Sequence, residues 1–251
     1  MIFCKSEKEI RKIRTSCQLV ARILKMLEKA VVPGMTTKEM DAMAEAEIRA
    51  AHAQPAFKGY RGYPATLCAS VNQGVVHGVP NSRPLREGDI ISIDMGVLLD
   101  GYYGDAALTA VAGRASPRAQ RIIDITRRAL AIGIEPARVG NRVSDISCAI
   151  QDFVESNGYS VVRNYVGHGI GTHLHEDPQI PNFGTRGKGP KLKQGMVLAI
   201  EPMVNEGTHE VKVLPDNWTV ETADGKLSAH FEHSVAVTDN GPVVLSEWEG
   251  S

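Results

Sequence analysis

Four carboxylates and one imidazole stand in this chain where apolar neighbours leave little reason for charge. Asp94 lies in ISIDMG, Asp105 in YYGDAA, His168 in VGHGIG, Glu201 in AIEP and Glu232 in FEHSV. Burying one unpaired carboxylate costs several kcal/mol even after relaxation, so four converging with a histidine would unfold a domain unless cations neutralised them. Two divalent ions would supply the four positive charges required. The set reads as a carboxylate-rich dinuclear metal site.

Spacing tests the first pair. Asp100-Gly101 between two apolar runs is a two-residue hairpin signal. With those residues as the turn, Asp94 falls opposite Ala107 and Asp105 opposite Gly96. The two aspartates are then diagonal neighbours on one face, about 7 to 8 Å apart at Cα. Like charges this close either raise a pKa or hold a cation. Alone, Asp94 could cap a strand and Asp105 could be solvated; the shared face argues against both readings. Glu201 lies within the run Val197-Leu198-Ala199-Ile200-Glu201-Pro202-Met203, which reads as a strand buried on both faces, where an acid needs a partner. Glu232 gets a milder form of the same argument.

His168 is flanked by Gly167, Gly169 and Gly171, which predicts a glycine-rich turn that aims the imidazole inward. The glycines are no phosphate-binding fingerprint, because the lysine of a P-loop and the strand-turn-helix setting of a dinucleotide site are missing. One nitrogen and several hard oxygens suit Mn, Fe(II), Co or Zn better than calcium, and the lack of thiolates argues against structural zinc. Two such ions about 3.5 to 4 Å apart serve hydrolysis, by lowering the pKa of a water and polarising the group attacked.

Capping-box patterns at Ser6/Glu9 and Thr36/Glu39 open two amphipathic helices, the first running to Pro33-Gly34 and the second to about Ala51. Ser116-Pro117 and Ser144 open two more, the last ending near Gly158. Strand-like runs cover Thr66–Asn72, Asp89–Leu99, Tyr102–Val111, Met196–Val204 and Ala229–Thr238. The order is helices then strands, twice, each half ending in a strand pair with two acids. No linker separates the halves, so one α+β domain spanning residues 1–251 is expected.

The whole chain sets limits on function. Its 251 residues can bury roughly 70 to 75 % of the unfolded surface. Cys4, Cys17, Cys68 and Cys148 form no C-x-x-C pair, which speaks against a zinc ribbon or a secreted disulfide framework and fits a reducing cytosol. There is no signal peptide and no transmembrane run. Twenty-eight basic against 29 acidic residues give a net charge of -1, with no chain-wide attraction to nucleic acid or membrane. Arg186, Lys188, Lys191 and Lys193 read as a solvated loop.

These residues resemble the type I methionine aminopeptidases over essentially the whole chain. The likeness rests on Val76-His77-Gly78-Val79-Pro80, Asp94-Met95-Gly96, Asp105, Gly167 to Gly171, His175-Glu176-Asp177-Pro178, Glu201-Pro202 and Phe231-Glu232-His233. It implies the pita-bread fold, two αβ halves related by a pseudo-twofold axis around a dinuclear centre. It also implies removal of the initiator methionine when the second residue is small. Asp94 would ligate one metal, Asp105 and Glu232 would bridge both, and His168 and Glu201 would complete the second, with Glu201 also handling a proton. His175 would hydrogen-bond the scissile carbonyl and His77 would contact the substrate near the leaving amide. The methionine pocket would be lined by Phe57, Tyr60, Tyr63, Cys68, Leu174 and Trp218, packing on a thioether through sulfur–aromatic contacts. Phe57 stands where many bacterial relatives carry cysteine, and Leu174 where phenylalanine is common. A monovalent cation, Na or K, would sit near Asn72, Gly74 and Ser228.

The chain opens directly at the first helix of such a domain and has no room between His175 and Glu201 for the helical insert of type II enzymes. The resemblance therefore implies a minimal, bacterial-like, cytoplasmic monomer acting on the N-termini of nascent polypeptides, with transient ribosome contact. Two alternatives stand beside it. One is an aminopeptidase P or prolidase-like peptidase of the same fold; the other is a non-catalytic binding protein that has kept the fold.

Overall fold

The computed structural model describes residues 1–247. Four helices form where caps and periodicity place them. Ser6 caps α1 (Glu7–Ala30) and Thr36 caps α2 (Thr37–Ala50), each through a capping box. Ser116 accepts from the Ala119 amide to start α3 (Pro117–Ile134), with Pro117 in the first turn. The fourth helix, α4 (Val143–Ser156), departs from the expectation: Arg142, not Ser144, is its N-cap, and it stops two residues before Gly158. The Ser144 hydroxyl is occupied elsewhere. It donates to the Lys188 carbonyl and accepts from the Lys188 amide, so it ties a loop to the helix.

Nine strands form one curved sheet: β1 (Gln54–Pro55), β2 (Leu67–Val71), β3 (Ile90–Leu99), β4 (Tyr102–Val111), β5 (Gly167–Gly169), β6 (Glu176–Ile180), β7 (Val197–Ile200), β8 (Glu232–Thr238) and β9 (Gly241–Val244). The path across it is β1-β3-β4-β8-β7-β5-β6, with β2 also on β3 and β9 on β8. The hairpin β3–β4 has the register read from Asp100-Gly101, Asp94 opposite Ala107 and Gly96 opposite Asp105.

Two expected strands are each split. Met196–Val204 breaks at Glu201-Pro202, and Met203–Asn205 leaves for a separate sheet with Ser228–His230 and Ser160–Val161. Proline cannot donate to a ladder, so Pro202 forces the change of sheet. Ala229–Thr238 breaks at Phe231 for the matching reason, since its amide reaches only the Pro202 carbonyl, at 3.4 Å. In a second small sheet Val220–Thr222 is the middle strand, with Gly74–Val76 on one side and Val211–Val213 on the other.

Alternation gives the large sheet two different faces. Ile91, Ile93, Met95 and Val97 of β3, Ala106, Leu108 and Ala110 of β4, Leu198 and Ile200 of β7, and Val235 and Val237 of β8 belong to one hydrophobic core with the apolar sides of the helices. In that layer α1 packs on β3 and β4, while α3 packs on α4 and on Ser228–His230, with lighter contact to Met203–Asn205, β7 and β8. The other face carries the acids.

Helix α1 and strand β4 approach closely at Gly104. A Cβ there would lie 2.5 Å from the Cys17 amide nitrogen and 2.6 Å from the Ser16 carbonyl carbon. Both are backbone atoms of α1 and cannot swing aside. Gly104→Ala is therefore expected to cost at least about 1–3 kcal/mol, read as a lower urea midpoint at unchanged slope; an unaltered midpoint would show that α1 is not seated this tightly.

Candidate metal centre

Strand register brings the five residues together. Asp94 pairs with Ala107, Ala107 with Glu232, and the β8–β7 ladder runs from Ala236 opposite Val197 to His233 opposite Ile200, one step short of Glu201. His168 pairs with Ala199, two residues before Glu201. Cross-strand partners share a face, as do residues two apart along a strand. Asp94, Asp105, Glu232, Glu201 and His168 therefore all project from the same face of five adjacent strands.

Two local readings change. His168 lies in the short interior strand β5, not in a turn: its glycine neighbours serve close packing, since a Cβ at Gly167 would lie on the Ala199 carbonyl oxygen and one at Gly169 on that of Asp177. Glu201 stands just past β7, not inside it. Its side chain is nevertheless only 13 % exposed.

The site lacks internal compensation. Asp105, Glu232 and His168 are buried, and an oxygen on each of Asp94, Asp105 and Glu232 has no hydrogen-bond partner. Orphaned buried carboxylate oxygens demand a cation or a proton. In the polypeptide alone the proton wins. Burial lifts Asp94 to about 7, and lifts Asp105, Glu201 and Glu232 well above the carboxylate range, with mutual repulsion adding to the last three. His168 goes the other way, pushed down to about 4 by burial. Its Nδ1 lies 2.9 Å from the Gly169 carbonyl, which can only accept. Nδ1 thus carries the hydrogen and Nε2, 3.5 Å from Glu201 Oε1, is free to ligate, the arrangement common to metal-binding histidines. Ligand atoms of Asp105, His168 and Glu232 already lie within 4.8 Å of one another. The donor set fits divalent cations.

The five residues floor a cavity of about 270 Å³. Every residue expected in the methionine pocket lines it: Phe57, Tyr60, Tyr63, Cys68, Leu174 and Trp218, together with His77 and His175. Tyr63 meets Trp218 edge to face at 5.1 Å. His175 stacks beside Tyr60, with Nδ1 2.9 Å from its hydroxyl, and its ring centre is 4.3 Å from that of His168. His77 meets Tyr165 edge-on at 5.3 Å. Away from the cavity, Asn72 and Ser228 are joined by a bond from the Ser228 amide to the Asn72 carbonyl at 2.9 Å, and Gly74 pairs with Glu221 nearby.

Sequence reasoning missed Arg61, Asn164, Tyr165 and Val166 on the cavity wall. It also missed His230, 1 % exposed, whose ring nitrogens have no hydrogen-bond partner and whose Nε2 lies 3.9 Å from Glu201 Oε2. Asn164 to Val166 precede a glycine run and Arg61 sits in a turn, so no periodicity marked them. His230 could have been suspected as an imidazole between apolar residues in a strand.

Residues 11–239 match metallopeptidase family M24. The chain belongs to that family. Within it the relatives are methionine aminopeptidases: the enzyme of Clostridium acetobutylicum is 52 % identical over 98 % of this chain and 99 % of its own. The crystal structure of the Thermotoga maritima methionine aminopeptidase superposes with a TM-score of 0.97 at 44 % identity, covering 99 % of this chain and 100 % of that one. A Pyrococcus horikoshii prolidase shares the fold with a TM-score of 0.80 at 24 % identity, but this chain spans only 64 % of it. The architecture is the pita-bread fold of both groups.

Because the carboxyls hold protons that a cation must displace, loading the protein with Mn(II) at pH 7 is expected to release protons. His168, neutral well above its pKa of about 4, contributes none. The affinity should rise as pH rises through about 7, the ionisation range of Asp94. Titration calorimetry in buffers of different ionisation enthalpy reads both effects. Mn(II) affinity equal at pH 6 and pH 8, with no proton release, would contradict this account of the site.

Proposed function

We propose that residues 1–251 act as a single catalytic domain, a methionine aminopeptidase that removes N-terminal methionine from new polypeptides when the second residue is small. The observation that carries this reading is the joining of two features in one cavity: a row of acids that needs cations, and an apolar aromatic wall beside it. A peptidase of this kind must recognise an uncharged thioether and hydrolyse the bond next to it. Phe57, Tyr60, Tyr63, Cys68, Leu174 and Trp218 supply the first, since a flexible sulfur side chain is held by packing and aromatic contact and not by charge. The aligned enzymes over nearly the full chain favour this reading over the prolidase-like alternative and over a non-catalytic binder.

In this reading Asp94, Asp105, His168, Glu201 and Glu232 would together hold two divalent ions; Co, Mn, Fe(II) and Zn all suit the donors. Such ions supply a Lewis acid and a water of lowered pKa. The chain's own residues do the rest. Glu201, at the cavity edge of the row, accepts the proton of the attacking water and passes it toward the leaving amine. The Tyr60 hydroxyl lies 2.9 Å from His175 Nδ1; in this reading it donates there, so that His175 carries its hydrogen on Nε2 and donates it to the scissile carbonyl. His77, held edge-on against Tyr165, contacts the peptide near the leaving amide. The walls displace water from the methionine side chain and fix its direction.

Further parts of the reading rest on chemistry. A Na or K ion near Asn72, Gly74 and Ser228 would brace the loops bringing β2 and the small sheets together. Four cysteines without disulfides suit a reducing cytoplasm. No helix among the described residues is long and apolar enough to cross a membrane. A monomer in transient contact with the ribosome would meet its substrates as they emerge.

The test is hydrolysis of Met-Ala-Ser under anaerobic Mn(II) or Fe(II) loading. Turnover should fall by orders of magnitude when the second residue becomes Leu or Phe, and Glu201→Gln should lower kcat by about 10²- to 10⁴-fold while the fold persists by circular dichroism. Cleavage of Xaa-Pro peptides with no turnover of Met-Ala-Ser would sink the assignment, and near-normal kcat in Glu201→Gln would remove its proton-handling role.

A further inference from the structure

His175 is the substrate-facing side chain with the least obvious support. It sits exposed at the end of the 171–175 turn, just before β6 begins at Glu176, on a 171–177 segment whose Thr172, His173 and Asp177 are exposed as well. Its one side-chain hydrogen bond is to Tyr60, which itself lies in a short turn at the cavity rim. Something must hold this turn while a carbonyl docks on it.

The residue after His175 suggests what does so. Glu176 forms an ion pair with Lys5 at 2.6 Å, and both side chains are almost wholly buried, 5 % and 6 % exposed. Two charges this deep are costly unless their remaining hydrogen-bonding capacity is also met. Here it is, in two directions. The Glu176 carboxylate also accepts from the His173 amide at 3.2 Å and lies 3.5 Å from the Thr172 hydroxyl. The Lys5 ammonium also donates to the Phe3 carbonyl at 3.1 Å.

Lys5 is itself rigidly seated. Its amide donates to the Gly195 carbonyl at 2.7 Å. A Cβ on Gly195 would lie 2.5 Å from the Lys5 carbonyl oxygen, and one on Gly171 would lie 2.5 Å from Lys5 Cε and 2.8 Å from Glu176 Oε1. The Lys5 stem thus fills the space under the turn, and two glycines leave room for it. The N-terminal segment before α1 lies against the back of the wall that carries Leu174 and His175.

We propose that Lys5 is a positioning residue for His175: through Glu176 it clamps the 171–177 turn and so sets where the His175 imidazole meets the substrate. The proposal rests on the reading of His175 as the carbonyl's hydrogen-bond donor. A shift of about 1 Å in such a group can lower a rate on the order of 100-fold. A buried pair that merely stabilised the fold would have no reason to act through that one imidazole.

The experiment is a double-mutant cycle on the Mn(II)-loaded enzyme with Met-Ala-Ser. Lys5→Met, which keeps the stem and removes the charge, should lower kcat/KM about 10- to 100-fold and increase amide exchange across 171–177, with Mn(II) affinity unchanged. In a His175→Ala background the same substitution should cost less than about twofold, because the group it positions is gone. If Lys5→Met does not fold, Lys5→Met with Glu176→Gln, which leaves no uncompensated buried charge, takes its place in the cycle. Equal losses in both backgrounds, or no loss and no added exchange in Lys5→Met, would overturn the proposal. If His175→Ala alone keeps full turnover, the role of His175 fails and the positioning proposal falls with it; the amide exchange, independent of turnover, shows whether the clamp itself exists.

Discussion

The burial of four carboxylates on one sheet face is the constraint on which the rest of this structure depends. Asp94, Asp105, Glu201 and Glu232 each have a raised pKa, and burial is the first cause in every case. A protein would not keep such a group for stability, since apolar residues of similar volume would pack there without the cost. The rest of the chain therefore has to hold the acids in place against their own electrostatics. It does so with a sheet whose opposite face is locked into a helical core.

That division of labour explains the architecture. Strand alternation sends every second side chain of β3, β4, β7 and β8 into the helices and the intervening ones toward the site. Register, not loop geometry, aligns Asp94, Ala107 and Glu232 in one row with Glu201 at its end. The strands that carry Glu201 and Glu232 also change sheet at those positions, around Pro202 and Phe231. The walls of the cavity come from other segments, among them the 57–63 loop, Cys68 of β2, Val76-His77, the 164–166 approach to β5, Leu174-His175 and Trp218.

Much of this was legible in the sequence where a local rule governed the outcome. The turn residues Asp100-Gly101 were enough for the register of β3 and β4, because a two-residue hairpin admits one pairing. Capping boxes located α1 and α2 because the side chain that starts each helix is satisfied within four residues. The rule failed at α4, where the Ser144 hydroxyl is claimed by Lys188, distant in sequence. It failed also at His168, whose flanking glycines suggested a turn but instead admit the Ala199 and Asp177 carbonyls beside a strand. The pocket residues came from the family resemblance, not from any pattern in their own neighbourhood, and Arg61, Tyr165 and His230 escaped both routes.

By itself the sequence determined the chemistry: four acids and an imidazole among apolar neighbours need cations, and the residues of one hairpin put two of those acids on a common face. It determined the helices too, since their caps and apolar stripes are local. Only the tertiary structure decided that β8 inserts between β4 and β7, which makes two half-sites into one centre. Only it placed Lys5 under the turn of His175 and Tyr60 against its ring. Apart from the β7–β8 ladder, those pairings join residues more than a hundred positions apart, and all are set by which faces must be buried together, a property of the folded whole that no local window contains.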